Sequence, residues 1–340
     1  MHSLGRTSLV SVGAAALFSG ATGAMSTPTP TDQVSEWLPM PGGIEIHESC
    51  IHRHHGTFSV APATDGTNTM IVTDEHDADV RYPPCEHKPR PRSRRRGHPG
   101  TERLNHHLHD DGLGPDQNYG YYSDWSVYAQ STIDDARQFG SFSAEFIVPE
   151  EPTSRGPLGL SSVYFFPGLE DGGGHHGNAS LILQPVLQFG KSGCVIDPVE
   201  WGSWHYMSYL VTGDGRAHCG EKLSVSTGDA LRGEMIQDPT SGKWTVNSVV
   251  LATNKTSTYT TALTGSPKID AAYITMEGMI IYGCDAYPPG GSVNFTSLSA
   301  TDALSSAATL SWTKEIRHSE CGQDVNASDD GTSVTLIFNN

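Results

Sequence analysis

Ser141-Phe142-Ser143-Ala144-Glu145-Phe146-Ile147-Val148 places apolar side chains at every second position, the period of a strand with one face in a core and the other wet. Similar short β-type runs occupy Ser161 to Phe166, Leu181 to Phe189, Trp244 to Ala252, Ala272 to Tyr282, Ala308 to Ile316 and Thr332 to Phe338. Turn signals separate them, among them Gly172-Gly173-Gly174, Thr212-Gly213-Asp214-Gly215, Ser241-Gly242 and Pro288-Pro289-Gly290-Gly291. No amphipathic helix of more than three turns interrupts the series. Many close strands without helical crossovers predict an all-β domain over 121–340, two antiparallel sheets packed as a sandwich. About 220 residues is large for an immunoglobulin-type sandwich and suits two broad, curved sheets.

The residues before this domain read differently. Met1 to Ala24 carries Arg6, an apolar stretch from Leu9 to Phe18 and a small-residue close at Gly20-Ala21-Thr22-Gly23-Ala24, the pattern of a secretory signal peptide. Of 16 histidines, 11 precede residue 115. Lys88-Pro89-Arg90-Pro91-Arg92-Ser93-Arg94-Arg95-Arg96 precedes a polar, glycine-containing linker over 97–120. In an exported chain such an exposed basic run is what a processing protease cuts, and a plain solvated linker is the alternative. Processing makes 25–96 a mostly irregular pro-segment.

With 21 Lys+Arg against 38 Asp+Glu, the balance argues against a nucleic-acid partner, and no later stretch has the length of a membrane-spanning helix. Cys50, Cys85, Cys194, Cys219, Cys284 and Cys321 suit an oxidising, extracellular compartment. Six cysteines allow fifteen pairings; pairing between neighbours along the chain is the expectation. Sequons at Asn178, Asn254, Asn294 and Asn326 agree with secretion and predict surface positions.

Two strands each set one polar group in apolar company: Gln184 in Ser180-Leu181-Ile182-Leu183-Gln184, and Glu277 in Ala272-Tyr273-Ile274-Thr275-Met276-Glu277. Burying either without a partner is costly. A carboxylate so placed can act as general base or acid, and a fixed amide can donate to a developing oxyanion. No nucleophile elbow, zinc-binding helix motif, phosphate loop or dinucleotide fingerprint occurs. His205 and His218 leave a zinc site open, beside the commoner solvated or structural histidine. Glycosidase chemistry needs two carboxylates. Thr275 and Met279 stand where a second would share Glu277's face, so the strand of Glu145 is the remaining source.

Asp124-Trp125-Ser126-Val127-Tyr128, Ser141 to Pro149, Tyr164-Phe165-Phe166-Pro167-Gly168-Leu169-Glu170, Ile182-Leu183-Gln184, Trp201-Gly202-Ser203-Trp204-His205-Tyr206 and Ala272 to Glu277 follow one another in an order and spacing that resemble the fungal glutamic peptidases, the eqolisins. The resemblance covers about residues 121 to 300. It implies a concanavalin A-like sandwich and a secreted acid endopeptidase, made as a zymogen and working without metal or organic cofactor. Gln184 and Glu277 then face each other across the concave surface of one sheet, Glu277 as base toward a water and Gln184 as oxyanion donor. Trp125, Phe166, Glu170, Trp201 and Trp204 become cleft residues, with ordinary packing the alternative for each aromatic. The expected partners are polypeptide substrates and the chain's own pro-segment, and the expected state is a monomer.

The chain departs from the family pattern at Ser203, where a glutamate is usual, at Phe166 for tryptophan and at Glu170 for aspartate. The competing class is a non-catalytic or carbohydrate-binding concanavalin-like domain, lectin-like or glucanase-like. Gln188, on the same strand face as Gln184, is a second amide without a place in the family motif. From Gln117 onward the chain holds 24 Asp+Glu and 11 Lys+Arg, a formal charge of 11 − 24 = −13. Histidines of a pro-segment docked on that acidic domain would charge between about pH 7 and 5, which suggests acid-triggered release.

Overall fold

The computed structural model describes residues 37–41, 44–67, 69–91, 122–134, 136–156, 159–171, 181–263 and 267–340. The signal pattern, the run Arg92 to Arg96, the linker, His175-His176 and Asn178 lie outside them. Residues 37–91 form β1 (Trp37–Met40), β2 (Ile44–His47), β3 (Ile51–Arg53), β4 (Phe58–Pro62), β5 (Met70–Asp74), β6 (Asp79–Tyr82) and β7 (Arg90–Pro91). The body contains β8 (Tyr122–Thr132), β9 (Phe139–Ile147), β10 (Ser162–Glu170), β11 (Leu181–Phe189), β12 (Trp204–Thr212), β13 (Ala217–Cys219), β14 (Leu223–Val225) and β15 (Ala230–Gln237). It continues with β16 (Trp244–Val250), β17 (Lys255–Thr261), β18 (Ala271–Ile281), β19 (Ser292–Asp302), β20 (Thr313–Ile316), β21 (Asp324–Ala327) and β22 (Val334–Ile337). Helical structure among the described residues is limited to 3-10 turns such as Glu48–Cys50 and Glu200–Gly202.

Two sheets pack as the sandwich that the alternation predicts. The first runs β20-β8-β18-β10-β11-β12-β13-β3 with β14 on β12, and the second runs β21-β22-β19-β9-β15-β16-β17-β4-β5-β6. Phe142, Ala144 and Phe146 of β9 are buried between them with Phe165, Leu183, Leu187, Tyr206, Met235 and Val246, while Ser141, Ser143 and Glu145 point outward. Body strands pair antiparallel. Among the described residues the two parallel pairings, β3 on β13 and β4 on β17, are both made by the N-terminal segment.

That segment is where expectation and structure part. Residues 37–91 are not mostly irregular. They add one strand to the edge of the first sheet and three to the edge of the second, and β1, β2 and β7 make a small sheet of their own. Unpaired sheet edges attract further strands, so a segment with little alternation of its own is ordered by the edges it covers. The disulfides join Cys50 to Cys85, Cys194 to Cys219 and Cys284 to Cys321, the neighbour pairing expected. The first closes within the N-terminal segment and the other two within the body, so none ties one to the other. Asn254, Asn294 and Asn326 are exposed.

Candidate active site

The first sheet has a second face, turned away from its partner sheet, and its floor can be read from the strand register. Glu277 on β18 stands opposite Tyr164 on β10, Tyr164 opposite Gln188 on β11, and Gln188 opposite His205 on β12. Two residues along, Thr275 pairs with Phe166, and Val186 with Met207. Two further along, Tyr273 pairs with Gly168 and Gln184 with Tyr209. Direct cross-strand partners point to one side, so Glu277, Thr275, Phe166, Gln184 and Gln188 share this face.

A bulge brings Trp125 there too. Met276 pairs with Val127 but Glu277 pairs with Trp125, leaving Ser126 as the extra residue of β8. Strict alternation would turn Trp125 inward with Val127; the inserted residue moves it to the outer face beside Glu277. Its ring lies 5.7 Å from Phe166 and 5.1 Å from Tyr273. A second irregularity follows at Ile280, whose φ of 57° is a left-handed value that a β-branched residue rarely takes. Ser123 accepts its N–H at 2.8 Å and Ser161 donates to its carbonyl at 2.7 Å, holding the bend just past the candidate base.

Gln184 and Glu277 are therefore on one face of one sheet but not in one row. Two strand spacings across and four residues along separate their Cα atoms by about 16 Å. Phe166 and Thr275 floor that gap, and Gly168 leaves the place beside Gln184 without a side chain.

Both residues are wholly buried. Neither polar atom of the Gln184 amide has a hydrogen-bond partner among the described residues, and the Thr275 hydroxyl is likewise unpartnered. Gln188, which does share Glu277's row, is spent structurally: it donates to the Gly190 carbonyl at 2.8 Å and accepts from Ser192 at 2.9 Å and from Tyr209 at 2.6 Å. Burial raises the Tyr209 phenol above its ordinary range, and the Glu277 carboxylate adds to the rise, so that carboxylate lies within electrostatic reach of Tyr209. Glu170 ends the same face and helps raise the Tyr273 phenol, after burial.

The N-terminal segment packs against this face. Leu38, Met40, Ile46, Cys50 and Ile51 join Trp125, Tyr164, Phe166, Val186, Tyr209 and Tyr273 in one apolar cluster. Gly193 N–H donates to the Pro39 carbonyl at 2.9 Å, and Arg53 Nε donates to the Gly193 carbonyl at 2.7 Å. A Cβ on Gly193 would meet Ile51 Cδ1 and Met40 Sδ, each at 2.5 Å, so the segment approaches this loop as closely as glycine allows.

Other expected site residues lie elsewhere. Trp204 faces between the sheets, 5.2 Å from Phe189 and 6.0 Å from Phe165; it belongs to the core. Trp201 is half-buried at the rim, donating to the Val195 carbonyl at 3.1 Å beneath Lys191. Ser203 donates to the Glu200 carbonyl at 3.0 Å, closing the turn before β12. Glu145 is on the second sheet, bonded to Arg232 at 2.9 Å, and supplies no second carboxylate to Glu277. His205 and His218 stand in different rows, and no group of three His, Cys, Asp or Glu among the described residues is placed to hold a metal ion.

No protein-family model matches the chain, and no curated protein matches it significantly. Solved structures are similar to it in part. Scytalido-glutamic peptidase, bound to a peptide-based transition-state analogue, is similar over 64% of this chain and 100% of its own, at 15% identity and a TM-score of 0.44. SCP-B, a member of the eqolisin family in complex with the tripeptide Ala-Ile-His, matches over the same shares at 15% identity and 0.42. Aspergilloglutamic peptidase from Aspergillus niger covers 52% of this chain and 98% of its own, at 18% identity and 0.34.

Proposed function

We propose that the chain is the precursor of an exported acid endopeptidase that hydrolyses peptide bonds with Glu277, Gln184 and an activated water, and that residues 37–91 keep it inactive. Glu277 takes a proton from the water as it attacks the scissile carbonyl, then delivers it to the leaving amine. Gln184 donates its amide N–H to the oxygen that becomes negative. A carboxylate serves as base only while ionised, so activity in acid requires that Glu277 still ionises there.

The observation that carries this reading is the Gln184 amide. It is buried with both polar atoms unbonded, on the face that holds Glu277, at a cost of roughly 1–3 kcal/mol. A purely structural glutamine forms its bonds, as Gln188 does on the same strand. An amide kept free beneath a detachable segment is ready for a ligand that arrives when the segment leaves.

Cutting the chain between residues 91 and 122, then assaying a denatured protein substrate between pH 2 and 5, tests this. The expected result is cleavage, with Glu277→Gln reducing the rate by at least about 10²-fold and Gln184→Ala also reducing it, both folded as judged by near-ultraviolet circular dichroism. Unchanged turnover in Glu277→Gln removes the mechanism, and glycan retention without peptide turnover moves the face to the sugar-binding class.

A further inference from the structure

Away from the candidate site, the seam between the N-terminal segment and the body is built on histidines. Where β3 pairs with β13, His52 of the segment stands opposite His218 of the body. His54 Nε2 lies 3.2 Å from His218 Nδ1. The ring of His218 is 5.0 Å from that of His52 and 5.5 Å from that of His54. Tyr82 covers His52 at 3.9 Å and Phe58 covers His54 at 4.2 Å, both from the segment itself. His218 is wholly buried.

The surroundings of this trio favour neutral rings. The charged groups acting on it are Arg53, Arg216 and His55, all positive or able to become so. The neighbouring carboxylates are engaged: Glu48 lies 3.9 Å from Arg53, and Asp214 binds Arg216. The His54–His218 contact also needs one ring to accept, and an imidazolium has no acceptor. Charging both rings turns that bond into a collision of donors.

We propose that this histidine seam is an acid-operated latch, holding residues 37–91 on the body while its rings are neutral and releasing them when acid charges the rings. That release then uncovers the Gln184 and Glu277 face rests on the function proposed above; the opening of the seam does not. Burial and the neighbouring cations lower His52 and His54 from the ordinary 6.5 to about 4, and hold His218 well below its ordinary value. The docked state therefore refuses protons that the undocked state binds. Docking is at full strength above pH 6.5 and weakens as the pH falls toward 4, His52 and His54 each contributing about 10²-fold at pH 4.5. With no disulfide joining segment to body, nothing covalent opposes release once the linker is cut.

Hydrogen exchange on the intact full-length chain reads the latch without any activity. It is run in a Glu277→Gln background so that self-cleavage does not enter, and expressed as protection factors to remove the intrinsic effect of pH. Between pH 7 and 4.5, residues 51–53 and 217–219 are expected to lose protection by about 10²-fold or more, while β9 keeps its own. In His52→Gln/His54→Gln the seam is expected to stay protected at pH 4.5. Equal protection at both pH values in the parent, or the same acid loss in the double variant, overturns the proposal. Should the double variant already be open at pH 7, the midpoint of the parent decides: between 4 and 6.5 supports the histidines, and below about 3.5 transfers the effect to carboxylates and overturns it. A seam that opens in a protein that never cleaves peptides defeats the proposed function and leaves the latch standing.

Discussion

The two faces of the sheet that carries Gln184 and Glu277 are closed by different means. One is closed by the body's second sheet, with Phe165, Leu183, Leu187, Trp204 and Met276 packed against Phe142, Met235 and Val246. Most of its side chains are apolar, with the buried Ser208, Ser248 and Ser257 bonded to one another among them. Apolar side chains between Leu38 and Ile51 pack against the other, and that face holds a carboxylate, an unbonded amide and an unbonded hydroxyl. Unbonded buried polar atoms occur on both faces, Trp204 Nε1 between the sheets and the Gln184 amide and Thr275 hydroxyl on the other, and the latter two share their face with the buried Glu277.

Three measurements break or sharpen this contrast. Trp204→Ala strikes the permanent face and is expected to destabilise the full chain by about 3–5 kcal/mol, read as a lowered urea midpoint at pH 7; a change below about 1 kcal/mol would place Trp204 outside the core. Gln184→Leu strikes the other face in the opposite sense. Removing two unbonded polar atoms is expected to leave the full chain as stable or about 1 kcal/mol more stable while abolishing activity, and clear destabilisation would mean the amide has a partner. The smallest effect concerns acid resistance of the body. Asp330 accepts from Ser328 at 2.6 Å and from the Thr332 N–H and hydroxyl at 3.0 and 2.8 Å, which lowers its carboxyl from 3.8 to about 2. Its contribution is present above pH 3.8 and lost as the pH falls through 2, so this turn outlasts the histidine seam. Asp330→Asn is expected to move the acid-unfolding midpoint of the body slightly upward and to leave the pH at which the seam opens unchanged.

The sandwich was legible in the sequence because β9 and its like have one core face and one wet face, and alternation records that difference. The neighbourhood of the candidate site was not. Strands β10, β11 and most of β12 and β18 are buried on both faces, so the polar partner of each apolar position is missing and sidedness cannot be read. That is why Trp204 looks like a cleft residue until its register with Phe189 is known, and why the different fates of Gln184 and Gln188 are invisible. Trp125 shows a second limit, since one bulged residue reverses its side. The N-terminal strands escaped notice for a third reason. Ile51-His52-Arg53 has no alternation to detect; its conformation comes from the edge of β13, a partner that no local pattern announces.

The parallel pairings of β3 and β4 have a consequence for the form that lacks them. Taking residues 37–91 away strips a strand from β13 and from β17 at once. The body is then left with two rows of unsatisfied backbone groups. The sequence of β17, Lys255-Thr256-Ser257-Thr258-Tyr259-Thr260-Thr261, guards its edge with a single lysine among residues that favour extended chain. A body without these residues could therefore recruit an extended peptide by backbone pairing, or a second copy of itself at high concentration.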